Sequence, residues 1–172
     1  FSAGVKKRYF IIAGGAAAIS LPFIYFLVMN EDQKQRIYSL FFPTKEDYLG
    51  VLWQQWRGRI ALANGGITGK GLFKGPLVQS GNIPEGYNDF IFSSIGEELG
   101  LIGCAAVIVL LCLICYRILK IAHLSNDKLG TTICVGIFAM FAAQIIINIG
   151  MNISLIPVIG VTLPLFSAGG TS

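Results

Sequence analysis

Leu99–Tyr116 reads LGLIGCAAVIVLLCLICY, a run without one charged side chain. It is close to the roughly 20 apolar residues that carry a helix across a bilayer. Tyr9–Val28 is equally free of charge, and nothing after Lys128 is charged. Across all 172 residues 54% are hydrophobic and only 13% charged, and the mean hydropathy is +0.69. A soluble domain needs more charge than that to cover its surface. The chain therefore reads as an all-α, polytopic helical membrane protein.

Three spans follow from the charge-free runs, at about 9–29, 90–118 and 129–151. Lys6, Lys7 and Arg8 precede the first, and Asn30, Glu31 and Asp32 end it. Its apolar run is longer than that of a signal peptide, and no small-residue cleavage site follows it. Pro22 predicts a kink, and Gly14–Ala18 a surface for close helix contact. Because it starts at Phe1 and stops soon after Ser167-Ala168-Gly169-Gly170, the chain reads as a piece of a larger multi-span protein.

The basic clusters at Lys6–Arg8 and in the 117–128 loop fall on one side by an odd–even count, and short basic loops are cytoplasmic. Segments 30–89 and 152–170 then face outward. Lys34, Arg36, Lys45, Arg57, Arg59, Lys70 and Lys74 lie in the longer of these, but long loops weigh little in the rule. The net charge of +4 suits anionic lipid headgroups. It does not argue for nucleic acid, because no basic face with stacking aromatics is present. Within the long outer loop, Asp32–Phe42 and Tyr48–Ala63 have helix-like apolar spacing, carried in the second by Leu49, Leu52, Trp53, Trp56, Ile60 and Leu62. Interfacial or re-entrant helices are expected there. Gly65, Gly66, Gly69, Gly71 and Gly75 form a turn region without P-loop spacing. Plain tight turns are the favoured reading.

Ile83–Gly103, IPEGYNDFIFSSIGEELGLIG, puts Asp89 where the long polar loop meets an apolar span. A carboxylate there is costly to desolvate and needs a reason. If 89–119 is one helix, Ser93, Gly96, Gly100 and Gly103 form a narrow stripe for a neighbouring helix. Position alone leaves two roles open for Asp89, helix N-cap and functional carboxylate. Glu97 and Glu98 lie roughly 12–14 Å further along such a helix, too far to share a bond with Asp89. They read as structural residues with basic or backbone partners. Pro84-Glu85 suits the first turn of a helix, although Glu85 is near enough to share Asp89's site.

Gln144, Asn148 and Asn152 recur every fourth residue, so three amides share one inward-looking face. Interhelical hydrogen bonding outweighs ligand binding as their role. Cys104, Cys112, Cys115 and Cys134 all sit in apolar spans and read as small hydrophobes. No metal-ligand cluster is apparent, His123 being on the cytoplasmic side, and no Ser–His or Cys–His pair can be built on the outer side.

Several blocks together resemble the SEDS family (RodA, FtsW, SpoVE). They are Gly69-Lys70-Gly71, Ile83-Pro84-Glu85 with Asp89-Phe90-Ile91-Phe92, and Gly96-Glu97-Glu98-Leu99-Gly100 with Gly103. A second set is Asn148-Ile149-Gly150-Met151, Ile156-Pro157 with Gly160, Leu163-Pro164, and Ser167 to Ser172. They run in the family's order through most of 64–172, while 1–63 fits by topology. Asn148–Met151 looks more like RodA than FtsW. Ala168 stands where the family usually has Tyr, and Asn152 where a small or apolar residue is commoner. The resemblance implies the C-terminal half of a multi-pass bacterial plasma-membrane enzyme that polymerises lipid II into glycan strands beside a class B penicillin-binding transpeptidase. It places Asp89 on the family's essential outer-loop aspartate. The half alone is expected to be inactive.

The implied chemistry suits these residues. A sugar hydroxyl attacks an anomeric carbon, and a carboxylate can take its proton. The lipid pyrophosphate already leaves well, so the second carboxyl of a glycoside hydrolase is unnecessary. Its charge calls for basic side chains, with Arg57, Arg59, Lys70 and Lys74 as candidates, or for a divalent cation such as Mg or Mn. Ordinary headgroup contact is an equal reading for those four. The contrasting function is a lipid-linked precursor flippase or a scaffold for partner enzymes. Transporters bury ionisable groups at mid-membrane, whereas here the carboxylate lies at the outer rim.

Overall fold

The computed structural model describes residues 22–168 together with Gly15, Ala16, Ile19 and Ser20. The first part of the expected first span, with Lys6–Arg8, lies outside the described residues, as do Ala17, Ala18, Leu21 and Gly169–Ser172. A π-helical turn at Ile24–Val28 leads into α1 (Glu31–Phe41), α2 (Trp53–Gly65), the short α3 (Pro76–Gln79), α4 (Ile91–Leu124) and α5 (Lys128–Asn152). The described residues hold no strand. Helices α4 and α5 are long and apolar enough to cross a membrane. Leu101, Ile102, Val109, Leu110, Leu113, Ile133 and Ile146 along them are exposed, which suits lipid rather than water.

Helix α4 is broken at Gly100, whose φ of 68° and ψ of −163° only glycine tolerates well. In an unbroken helix Leu101 and Ile102 would donate to the carbonyls of Glu97 and Glu98. Here those carbonyls accept from Lys70 N (3.0 Å) and Gly71 N (2.9 Å), while Leu101 N and Ile102 N donate to Gly66 O (2.9 Å) and Ile67 O (3.2 Å). The glycine-rich segment therefore plugs the break bond for bond. Irregular backbone survives at membrane depth only when protein satisfies it in this way. The N–H groups of Lys70 and Gly71 are used on these carbonyls, which bears out tight turns over a phosphate cradle. Beyond the break, 101–124 spans about 36 Å at 1.5 Å per residue, ample for the hydrocarbon core.

Helix α2 lies along the first part of α4, and its buried face is Gln55, Gly58, Ala61 and Gly65. Trp56 is exposed on another side of the helix. The small residues face inward because the backbones nearly touch. A Cβ on Gly58 would lie 2.8 Å from the Phe90 ring and 2.9 Å from Ser93 Oγ, and one on Gly65 would strike the Gly96 carbonyl. The expected Ser93–Gly96 stripe thus meets a matching stripe on α2.

Two cores flank this seam. Phe92, Cys104, Val107, Leu111 and Leu163 form one. Ala61, Ile83, Phe90 and Val158 form the other, directly beneath the turn that carries Asp89. Beyond α1, Asp47 accepts from Thr44 N (2.8 Å), Thr44 Oγ1 (2.7 Å) and Gln35 Nε2 (3.3 Å). The backbone and side-chain bonds from Thr44 hold its carboxyl at about 2.

Candidate active site

Asp89 lies in a chain of turns from Ile83 to Phe90, immediately before α4 begins at Ile91. The continuous helix from Asp89 is therefore corrected twice, by this turn at its start and by the break at Gly100 within it. Glu85 is not in a helical first turn either. Its φ is 49°, and its carbonyl accepts from Asn88 N (2.9 Å) and Phe90 N (3.1 Å), closing the turn. Asn88 Nδ2 donates to Glu85 Oε2 at 2.7 Å.

The main-chain carbonyl of Asp89 accepts from Asn148 Nδ2 (2.9 Å) and Asn152 Nδ2 (3.1 Å), both fully buried on α5. Asn152 Oδ1 accepts in turn from Ser93 N (3.0 Å) and Ser93 Oγ (2.6 Å). That is the bond an N-cap side chain would make, supplied here from another helix. The N-cap position itself is Phe90, without a side-chain cap. The capping reading of Asp89 is thereby excluded, and the Asp89 carboxylate is left for other work.

Opposite the carboxylate runs the segment after α5. A Cβ on Gly160 would lie 3.6 Å from Asp89 Oδ2, and Gly160 takes a φ of +70°. Asn148 Nδ2 also donates to Val161 O at 2.7 Å, so one amide joins the turn of Asp89 to this wall. Ala168 N donates to Tyr87 O at 2.9 Å, closing the other side of the turn. Asp89 is half-buried. Burial, and secondly the negative charge of Glu85, raise its carboxyl above the ordinary value.

The other anticipated residues divide. Glu97 is fully buried, and its carboxylate accepts from Leu77 N (3.1 Å) and Val78 N (2.8 Å) at the start of α3, the backbone partnership expected of it. Glu98 is only half-buried, since neighbouring helical residues point about 100° apart. Of the three amides Gln144 is also half-buried, so Asn148 and Asn152 do the joining. Arg57 is half-buried, with its guanidinium carbon 5.7 Å from the Trp53 ring centroid. Arg59, Lys70, Lys74 and Glu85 are exposed. Lys70 is tied through its backbone to Glu97, at the far end of the first α4 segment from Asp89.

Two residues escaped the sequence reading. Gln55, 2% exposed, donates to Met151 O (3.3 Å) and Ile156 O (2.7 Å). Its signal was spacing, because Gln55, Gly58, Ala61 and Gly65 recur at helical intervals. Arg36 donates through Nη1 to Val158 O at 3.0 Å. Among seven basic residues of one long loop, nothing in the sequence sets it apart.

Fold and site together define a helical membrane protein with a clamped carboxylate beside a polar loop. The family profile described as "Cell cycle protein", that of FtsW, RodA and SpoVE, matches residues 1–172, and the chain belongs to this family. It is 36% identical over its whole length to a probable peptidoglycan glycosyltransferase FtsW of Geobacter metallireducens, covering 45% of that protein. It is 34% identical to the peptidoglycan glycosyltransferase MrdB of Escherichia coli K12 and 35% to the stage V sporulation protein E of Bacillus subtilis, covering all of this chain and 46% of each. A chain of a solved peptidoglycan synthase complex superposes over 95% of this one with a TM-score of 0.68 and 26% identity, using 44% of its own length. The chain thus spans a little under half the length of these relatives.

Proposed function

We propose that the protein containing this chain polymerises lipid II into glycan strands at the outer face of the bacterial cytoplasmic membrane, with Asp89 as general base. The observation that carries this reading is the division of labour at the turn. Asn152 takes the capping bond and two amides fix the Asp89 backbone, so the carboxylate faces the Gly160 wall uncommitted. Raised basicity suits a group that must take a hydroxyl proton.

In the step proposed, Asp89 accepts the proton of the attacking sugar hydroxyl. The new bond forms from that oxygen to the anomeric carbon. The bond to the lipid diphosphate breaks, and the diphosphate leaves with the electron pair. Arg57 and Arg59 are the better-placed cations to meet that charge, because Gly58 between them packs on Phe90. Lys70 and Lys74 belong to the segment that plugs the α4 break. Among the described residues no three His, Cys, Asp or Glu side chains gather to hold a metal. A Mg or Mn ion held chiefly by the substrate phosphates would need few protein ligands. Such an ion would neutralise the departing diphosphate.

Likeness to a synthase complex that coordinates polymerization and crosslinking supports a class B penicillin-binding transpeptidase as partner. The flippase reading gains nothing from Glu97, whose carboxylate is already occupied by backbone N–H groups. The test is glycan-strand synthesis from purified lipid II by the full-length protein and its Asp89→Asn variant. Loss of polymerisation is expected, and a normal rate would refute the general-base role.

A further inference from the structure

The segment that faces Asp89 has no secondary structure. Among the described residues, Pro157–Thr162 makes no hydrogen bond to another backbone group. Buried or half-buried backbone must still place its polar groups. Here side chains from three helices do so in succession. Gln55 of α2 takes Ile156 O just before the segment, Arg36 of α1 takes Val158 O at 3.0 Å, Met151 Sδ of α5 accepts from Ile159 N at 3.3 Å, and Asn148 of α5 takes Val161 O at 2.7 Å. Gln55 and Asn148 are fully buried, and Arg36 is the half-buried member.

Arg36 holds the residue that matters most for the wall. The side chain of Val158 is buried in the same core as Phe90, next to Asp89, and two residues later Gly160 abuts Asp89 Oδ2. On its other side Arg36 lines a cavity of about 680 Å³, with Asn30, Asp32, Gln33 and Ile159. Freed from Arg36, the Val158 carbonyl would open toward that cavity, and the Gly160 wall would lose its nearest fixed point on the α1 side. A guanidinium suits the task, because one nitrogen can hold the carbonyl while the plane stays oriented by its remaining donors.

We propose that Arg36 is a positioning residue for the reaction at Asp89: it fixes Val158 and thereby holds the 157–160 segment against the carboxylate, keeping water off it. The inference rests on Asp89 acting as the base. Around that carboxylate, Glu85 is the titratable neighbour on its own turn. Helix α5 presents the amides Asn148 and Asn152, the 157–161 segment has no titratable side chain, and α2 carries Arg57 and Arg59 on either side of Gly58, which packs on Phe90. Loosening the wall would hydrate Asp89 and let its raised carboxyl fall toward the ordinary value.

The experiment uses full-length protein with purified lipid II and three variants, Arg36→Met, Arg36→Lys and Asp89→Asn. Arg36→Met should lower kcat by roughly 10- to 100-fold, as a misplaced reacting group does, with KM little changed. The acid limb of its pH profile should move to lower pH. Arg36→Lys should recover part of kcat and bring the limb back. Hydrogen exchange at the Val158–Val161 amides should quicken in Arg36→Met. Wild-type kcat in Arg36→Met would overturn the proposal. So would a kcat loss with an unmoved acid limb, or a rise in KM alone, which would mark a substrate contact. If these occur while Asp89→Asn is inactive, only the role of Arg36 fails. If Asp89→Asn polymerises normally, the base assignment itself fails.

Discussion

Asn148 Nδ2 sits 2.9 Å from the carbonyl oxygen of Asp89 and 2.7 Å from that of Val161, so one buried amide joins the turn to the wall that faces it. Asn148→Ala would leave Val161 O without its donor, while Asp89 O would keep Asn152 Nδ2. A buried acceptor stranded in this way costs on the order of 1–3 kcal/mol. Asn148→Asp should be worse, because it aims a carboxylate at two carbonyls. Thermal unfolding of the full-length protein in detergent should therefore rank wild type above Ala and Ala above Asp. Polymerisation should follow the same order, and an Asp variant as stable as wild type would contradict the clamp.

Asp89 should act against stability while serving activity. Its carboxyl is raised in the fold, first by burial and then by Glu85. A raised carboxyl favours the protonated form in the folded state. Its contribution is thus fully present below the unfolded value, about 3.9, and is lost as pH rises through the folded value. At neutral pH the ionised group is a net cost that Asp89→Asn removes. The variant should melt at the same temperature as wild type or higher at neutral pH, and the gap should close as pH falls. A lower melting temperature at neutral pH would mean that the carboxylate makes a stabilising contact.

Much of this was legible in the sequence, and what was not has a common cause. Charge-free runs made α4 and α5 evident, and amide spacing placed Asn148 and Asn152 on one face. Asp89 stood out because a carboxylate at that boundary needs a reason. Capping and catalysis could not be separated, since the acceptor that decides between them, Asn152, comes from a helix some sixty residues away. The inward face of α2 could not be read from apolar periodicity, which assumes that large side chains fill a core, whereas here two backbones approach so closely that only small residues fit at Gly58 and Gly65. Arg36 and Gln55 act on carbonyls of an irregular segment, and such long-range pairings leave no local pattern.

The break at Gly100 makes a sharp prediction. A Cβ there would strike Gly69 N and Ile67 O, and the backbone conformation is one that alanine resists. Strain alone costs about 1–3 kcal/mol. Displacing the 66–71 segment would also strand the carbonyls of Glu97 and Glu98 and the N–H groups of Leu101 and Ile102. Gly100→Ala should accumulate poorly in membranes and melt well below wild type. Near-normal melting would show that the plug adapts and that the break is not required.

Glu97 offers a test that separates structure from chemistry within one motif. Its carboxylate meets Leu77 N and Val78 N in a site with no exposure, and Gly75 packs so closely that a Cβ there would lie 2.6 Å from Glu97 Oε2. Glu97→Gln keeps one oxygen acceptor and nearly the same volume, so it should be tolerated with a modest loss of stability. Glu97→Ala removes both oxygens, and each stranded N–H costs roughly 1–3 kcal/mol. Neither change should move the pH profile of polymerisation, because the proposed base, Asp89, stands at the opposite end of the first α4 segment. The decisive measurement is kcat of Glu97→Gln at several pH values beside its melting temperature. Inactivity with a wild-type melting temperature would put Glu97 in the chemistry and end its reading as a structural anchor.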